Sequence, residues 1–254
     1  NPELMERAVA GSRVLGAGMA MGFGAIGAGV GEGYDAGEAV EKISRQPAVA
    51  GELTRTMLVG QAIAETSGIF ALVIAFMLMF AEPEQPGLEV MGAYLGSGLA
   101  MGLGALGTGI GAGIAGGQAA SSIGRNPSCR RSVMVTMLLG QGVATTPAVF
   151  ALLVAVILCF GEQLLKLGVG VEGITAASLP TAAAVLGAGI AMGAGGVGPG
   201  IGTGMAAGSA SLGVGLNPKA NTDLTRTMLI GGAVAQSTSV YSLVIAFILM
   251  FLEI

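Results

Sequence analysis

The sequence has no histidine, no tryptophan, two cysteines and few charges, with 11 basic and 15 acidic residues among 254. Without histidine or a Cys/His cluster there is no anchor for a zinc or haem site, and no covalent cofactor is expected. Cys129, beside a loop, and Cys159, near the end of an apolar run, are too few for a disulfide framework. They read as a surface thiol and a small apolar residue. A net charge of −4 with sparse basic residues argues against a nucleic-acid partner. No phosphate loop, paired nucleophile or metal cluster stands out, so no enzyme activity is expected of the chain by itself. The two GxGxxG stretches, Gly22–Gly27 and Gly102–Gly107, lie in apolar surroundings with no preceding soluble strand, and read as helix packing.

What the chain has is apolar length. Hydrophobic residues make up 53% of it, and the mean hydropathy is +0.80. So few charges could not cover a soluble domain of this size, and the long runs between them indicate a multi-span membrane protein. The 46 glycines lie inside these runs, as in membrane helices that pack backbone to backbone. The 14 methionines read as apolar bulk facing lipid or neighbouring helices.

The chain repeats itself three times. Aligning Arg45-Gln46-Pro47 with Arg125-Asn126-Pro127 and Leu216-Asn217-Pro218 brings everything into register at offsets of 80 and 171. Thr54–Phe80 and Thr225–Phe251 share 16 of 27 positions. Each unit has a glycine-rich run, a polar turn with proline, and a glycine-poor run. The expectation is an all-α membrane protein of six transmembrane helices in three tandem hairpins, over residues 1–84, 85–170 and 171–254. Spans are placed at 8–42, 53–80, 88–122, 132–160, 178–213 and 224–252, each longer than the ~20 residues needed to cross hydrocarbon. Pro147 is expected to kink the fourth. Eight of the eleven basic residues flank the three turns, so the turns are expected in the cytoplasm, with the linkers near 82–86 and 161–179 and both termini outside.

Only the first hairpin carries acids deep in a span. With the turn taken as 43–51, Glu32 lies 11 residues before it and Glu65 lies 14 after it. At ~1.5 Å per residue both sit ~16–21 Å from the turn, at similar depth on adjacent helices. Gln61 shares the face of Glu65, and Thr66 and Ser67 follow it. An intramembrane carboxyl marks a functional site by default and holds either a proton or a cation. Two carboxyls around one monovalent ion are expected to share a proton. Oxygen donors from Glu32, Glu65 and Thr66 suit a hard cation such as Na⁺, as they suit other hard cations. The bland alternative is a hydrogen-bonded pair that ties two helices together. Asp35, Glu38 and Glu41, nearer the turn, read as a solvated rim.

These residues resemble the rotor-ring proteolipid, or c-subunit, of F-type ATP synthases and its V-type relatives. The resemblance is carried by Gly29–Gly37 around Glu32, by Arg45-Gln46-Pro47, by Gly60–Thr66 and by Leu72–Ala75, and it recurs once per hairpin. It implies a ring of hairpins (a c-ring) whose carboxylates carry Na⁺ or H⁺ across the membrane as the ring turns. It further implies other copies of the chain or single-hairpin c-subunits in that ring, a stator a-subunit with an essential arginine, central-stalk subunits at the turns, and surrounding lipid. The setting would be the cell membrane of a bacterium or archaeon. Glu65 matches the ion-carrying carboxylate, Thr66 a hydroxyl ligand, and Ile63 a backbone-carbonyl ligand. Glu32 falls where sodium-type members have Gln or Glu. Sites of the family span neighbouring hairpins, so Thr146, Ser237, Val143 and Val234 are further candidate ligands. Phe70 departs from the tyrosine common in sodium sites, although Tyr241 stands at the aligned place. Position 65 becomes Thr145 and Gln236, and position 32 becomes Ala112 and Thr203. One acid station in three hairpins implies few ions per turn, which favours ATP-driven pumping against a steep gradient. Two rival classes remain at this point. A structural or pore-forming proteolipid would not need Glu65, and a repeat-built secondary transporter would need a polar substrate pocket with broken helices.

Overall fold

The structure, a computed structural model, describes residues 2–82, 86–160 and 178–251. Among them six helical spans are long and apolar enough to cross a membrane. Spans of this kind must be helical, because in hydrocarbon each backbone N–H and C=O has to find its partner within the segment. The helices are α1 (Pro2–Arg45), α2 (Ala50–Phe80), α3 (Leu88–Arg125), α4 (Arg130–Ala144), α5 (Thr146–Cys159), α6 (Ser178–Leu216) and α7 (Asn221–Phe251). They extend a few residues beyond most of the expected limits, into the polar ends. The linkers and the unit limits at 84/85 and 170/171 fall largely or wholly outside the described residues, as does residue 252.

Three turns of one construction join the two helices of each hairpin. The residue before each proline leaves the helical region: Gln46 has φ −138° and ψ 73°, Asn126 −140° and 82°, and Asn217 −137° and 84°. Proline crowds its predecessor out of the α region, which stops the first helix. The proline then opens a single 3₁₀ turn that starts the second helix, where its missing N–H costs nothing. The stopped helix is closed by backbone bonds from Gln46 to Lys42 (2.9 Å), Asn126 to Ser122 (3.0 Å) and Asn217 to Gly213 (2.8 Å).

Glycine decides the layering. The glycine-rich helices α1, α3 and α6 lie side by side with α3 in the middle, and α2, α4–α5 and α7 pack outside them. Between α1 and α3 a methyl added at Gly109 would lie 2.6 Å from the carbonyl carbon of Gly27, and one at Gly113 would strike Gly31. The same contact repeats one unit on, where a methyl at Gly200 would lie 2.8 Å from the carbonyl carbon of Gly107 and one at Gly204 would strike Gly111. Backbone-to-backbone approach of this kind lets dispersion and weak C–H···O contacts hold helices together where lipid removes the hydrophobic drive. Ile74, Leu78, Met101, Val154 and Met192 fill the membrane half away from the turns, and Leu53, Ile123, Val133, Met137 and Val214 fill the half near them.

Two expectations are overturned. Neither cysteine is a surface thiol, because Cys129 is buried against the near-turn cluster with Ile123 and Val133, and Cys159 in the cluster away from the turns. Asp35 is not on a solvated rim. Its side chain is fully buried between α1, α2 and α3, against Gly60, Gly116 and Gly117. Distance from the turn ignored helical phase, which points Asp35 inward. A usable signal was present, since the aligned residues are Ala115 and Ala206, a place kept for small side chains. Glu38 and Glu41 do lie at the polar end, where they pair with Lys42 at 3.9 and 3.1 Å.

Candidate ion-binding site

Glu32 lies on α1 and Glu65 on α2, two helices packed against each other. Gln61 Nε2 donates to the Glu32 backbone carbonyl at 3.1 Å, tying the two helices at that level. Glu65 is exposed, while Glu32, Gln61, Ile63 and Thr66 are half-buried. The Thr66 hydroxyl donates to the Ala62 carbonyl along its own helix at 3.0 Å. The acid pair therefore sits on an open edge of the chain, not in an interior pocket.

The matching positions in the other hairpins show how successive units meet. Gln141, aligned with Gln61, is fully buried and donates to two carbonyls, Ala112 of its own hairpin at 2.8 Å and Gly60 of the first hairpin at 3.1 Å. Gln236, aligned with Glu65, donates from Nε2 to the Val143 carbonyl of the second hairpin at 2.9 Å. In both cases the glycine-poor helix of one hairpin reaches the backbone of the hairpin before it. Thr145 makes no such reach, and its hydroxyl donates back to Gly142 at 3.2 Å. Thr146 does the same at 3.4 Å.

Val234 and Ser237 on α7 form the mirror of the acid edge. The Ser237 hydroxyl donates to the Val234 carbonyl at 2.7 Å, and the Val234 side chain is 69% exposed, so both oxygens lie together on the far edge of the chain. Asp35, which sequence reasoning placed elsewhere, lies one helical turn from Glu32. Neither of its oxygens has a hydrogen-bond partner, and no described Lys or Arg forms an ion pair with it.

The family profile of the ATP synthase C-subunit matches three times, over residues 15–78, 95–158 and 186–249. The chain belongs to that family. Among its relatives, the ATP synthase c-subunit of Natranaerobius thermophilus is 56% identical over 69 residues, covering 27% of this chain and 79% of the relative. The chloroplastic c-subunit of Ostreococcus tauri is 47% identical over 79 residues, covering 31% and 96%. A c-subunit of Cereibacter sphaeroides, the second of that name, is 50% identical over 70 residues, covering 28% and 84%. Each relative therefore corresponds to about one hairpin of this chain. The protein is a triple-hairpin rotor-ring component of a rotary ATPase, a multi-pass membrane proteolipid without catalysis of its own.

Proposed function

We propose that Glu65 carries the translocated cation, and that its station is completed by a second copy of the chain. The observation that carries this is the register. The position-65 side chain of the third hairpin, Gln236, meets the position-63 carbonyl of the hairpin before it, Val143. Carried round by one unit, Glu65 meets Val234, on the third hairpin of the preceding copy, and Ser237 supplies the hydroxyl. Glu32 and Gln61 close the station from the first hairpin. By the same register Ile63 and Thr66, though on the same hairpin as Glu65, face Thr145 across the first intrachain junction.

The open glycines support the same closure. Gly18, Gly29 and Gly33 of α1 correspond by offset to Gly98, Gly109 and Gly113 of α3, which are packed on Gly16, Gly27 and Gly31; yet each of the three has nothing within 4 Å. Their predicted partners on the far edge, Gly187, Gly198 and Gly202 of α6, are open to any other helix of the inner layer. Copies of the chain then join head to tail, and rotation closes such a heterologous series into a ring.

The oxygen set of Glu65, Glu32, the Ser237 hydroxyl and the Val234 carbonyl favours Na⁺ as the cargo, with H⁺ as the alternative. The turns, with their basic residues, face the cytoplasm and the central stalk, in the cell membrane of a bacterium or archaeon. A stator a-subunit loads and unloads Glu65 from the ring's rim. One charged station per chain means few ions per turn, which suits ATP-driven pumping. Carbodiimide labelling of the assembled ring, read at Glu65 by peptide mass spectrometry, tests the assignment. Suppression by Na⁺ at fixed pH supports a sodium station, and sensitivity to pH alone supports a proton station. Labelling that ignores both, or its absence, would leave only a structural proteolipid.

A further inference from the structure

The junction between the second and third hairpins has no acid, yet it is built more elaborately than a lost site needs. In an unbroken helix the Val143 carbonyl would accept the N–H of residue 147. That residue is Pro147, which has no N–H, and the helix breaks between α4, ending at Ala144, and α5, starting at Thr146. What its own helix still offers the Val143 carbonyl is a share of the Thr145 N–H, which also serves the Gln141 carbonyl at 3.0 Å, and a poorly paired carbonyl at membrane depth is costly. The Gln236 carboxamide covers it from the third hairpin, with Nε2 at 2.9 Å.

The amide is also held the right way round. The Ser239 hydroxyl, fully buried, shares its one proton between Gln236 Oε1 at 2.9 Å and the Gln236 backbone carbonyl at 2.8 Å, both of which can only accept it. This turns Oε1 towards Ser239 and the NH₂ group towards Val143. Hydroxyls already stand where further ligands would be needed: Thr203 is aligned with Glu32 and Thr146 with Thr66. The first junction shows the contrast. There α2 runs unbroken past Ile63, position 67 is Ser67 with its N–H intact, and the facing position-65 residue is the short Thr145. There the Ile63 carbonyl is not freed, and no position-65 amide faces it; the amide at that junction, Gln141, comes from position 61 and meets Gly60 instead.

We propose that Gln236 is a built-in neutral stand-in for a cation-loaded carboxylate, and that the second–third junction is a latent cation site one functional group short. The amide N–H stands between the position-65 side chain and the position-63 carbonyl, where a cation would bridge carboxylate and carbonyl. It satisfies the same oxygen without a charge that must be loaded or released. Pro147 and Gln236 act as a pair, the first freeing the carbonyl and the second closing it. The station so formed passes through lipid permanently shut. This inference rests on the Glu65 station proposed above.

The test is Gln236→Glu in the full-length chain, assembled as a ring and labelled with carbodiimide across a Na⁺ titration and a pH series. Positions 65 and 236 are read separately by mass spectrometry. The introduced carboxyl should label, and should respond to Na⁺ or pH in the same sense as Glu65. At Na⁺ ten times its dissociation constant, labelling slows about elevenfold for a one-site competitor. Labelling at 236 that ignores both Na⁺ and pH, or no labelling there while Glu65 labels, overturns the latent site. If Glu65 alone proves indifferent, the Glu65 station fails, and the response at 236 still decides this proposal. A second cycle adds no charge. Gln236→Leu should lower the chain's thermal unfolding temperature in the otherwise native sequence and leave it unmoved in Pro147→Ala, where the Val143 carbonyl regains a backbone donor. Equal losses in both backgrounds would overturn the pairing of Pro147 with Gln236.

Discussion

Replacing Gly29 and Gly109 by alanine, one at a time, separates the packing that folds the chain from the packing that joins copies. The two residues hold the same register in successive repeats. At Gly109 the new methyl would lie 2.6 Å from the Gly27 carbonyl carbon and 2.7 Å from the Ala28 nitrogen. Carbon atoms rest at about 3.5–4.0 Å, so α1 and α3 must part by roughly 1 Å or more there. Overpacking of this size costs about 1–3 kcal/mol, less the ~1 kcal/mol that alanine gains over glycine in a helix. Gly109→Ala should therefore destabilise the chain itself by up to about 2 kcal/mol. At Gly29 nothing within the chain lies within 4 Å, so a lone chain should tolerate alanine or gain slightly. In the ring, Gly29 would press on Gly198 of the preceding copy, and each junction should weaken by about 1–2 kcal/mol, or five- to thirtyfold. Native mass spectrometry in mild detergent, with thermal unfolding of the released chains, reads both quantities. Rings of Gly29→Ala as durable as the native ring, beside a destabilised Gly109→Ala, would refute head-to-tail joining through α1.

How much of this could be read from the sequence depends on what each residue's position had to satisfy. The hairpins were legible because hydrocarbon allows few alternatives to helices, and the Gln/Asn-Pro turns carry their own stop and start signals. The depth match of Glu32 and Glu65 was legible because both are counted along straight helices from one turn. Where a kink is expected at Pro147, the helix is interrupted at Thr145, between Ala144 and Thr146. Its consequence was not legible, because it depends on Gln236, 89 residues away in sequence, arriving at the freed carbonyl. The burial of Asp35 was missed because a count of residues gives depth but not the direction a side chain faces. Which hairpin reaches which also needed coordinates. Repeats fix the list of candidate oxygens, Thr66, Thr146 and Ser237 alike, but only the direction of the Gln141 and Gln236 contacts orders the units.

Two further expectations follow from that order. Ser237→Ala should weaken cation protection of Glu65 by about tenfold, the worth of one hydrogen-bonding or ligating hydroxyl, while Thr66→Ala and Thr146→Ala leave it nearly unchanged. Carbodiimide protection curves on the three rings would show it, and an equal loss in Thr66→Ala would contradict the register. The second concerns Asp35. A buried carboxyl with no donor and no cation gives up its hydration for nothing in return, and removing such a group, where the remaining shape fits, is neutral or stabilising. The scaffold accepts alanine at this place twice, as Ala115 and Ala206, so no rearrangement of the backbone is required. Against this, the lost side chain leaves a small gap between Gly60 and Gly116, which subtracts some dispersion. Desolvation is the larger effect, so Asp35→Ala should raise chain stability by about 1–3 kcal/mol. Thermal unfolding in detergent measures this directly. A clear loss of stability would mean that Asp35 holds a proton or cation with a partner, and that the first hairpin contains a second polar station beside Glu32.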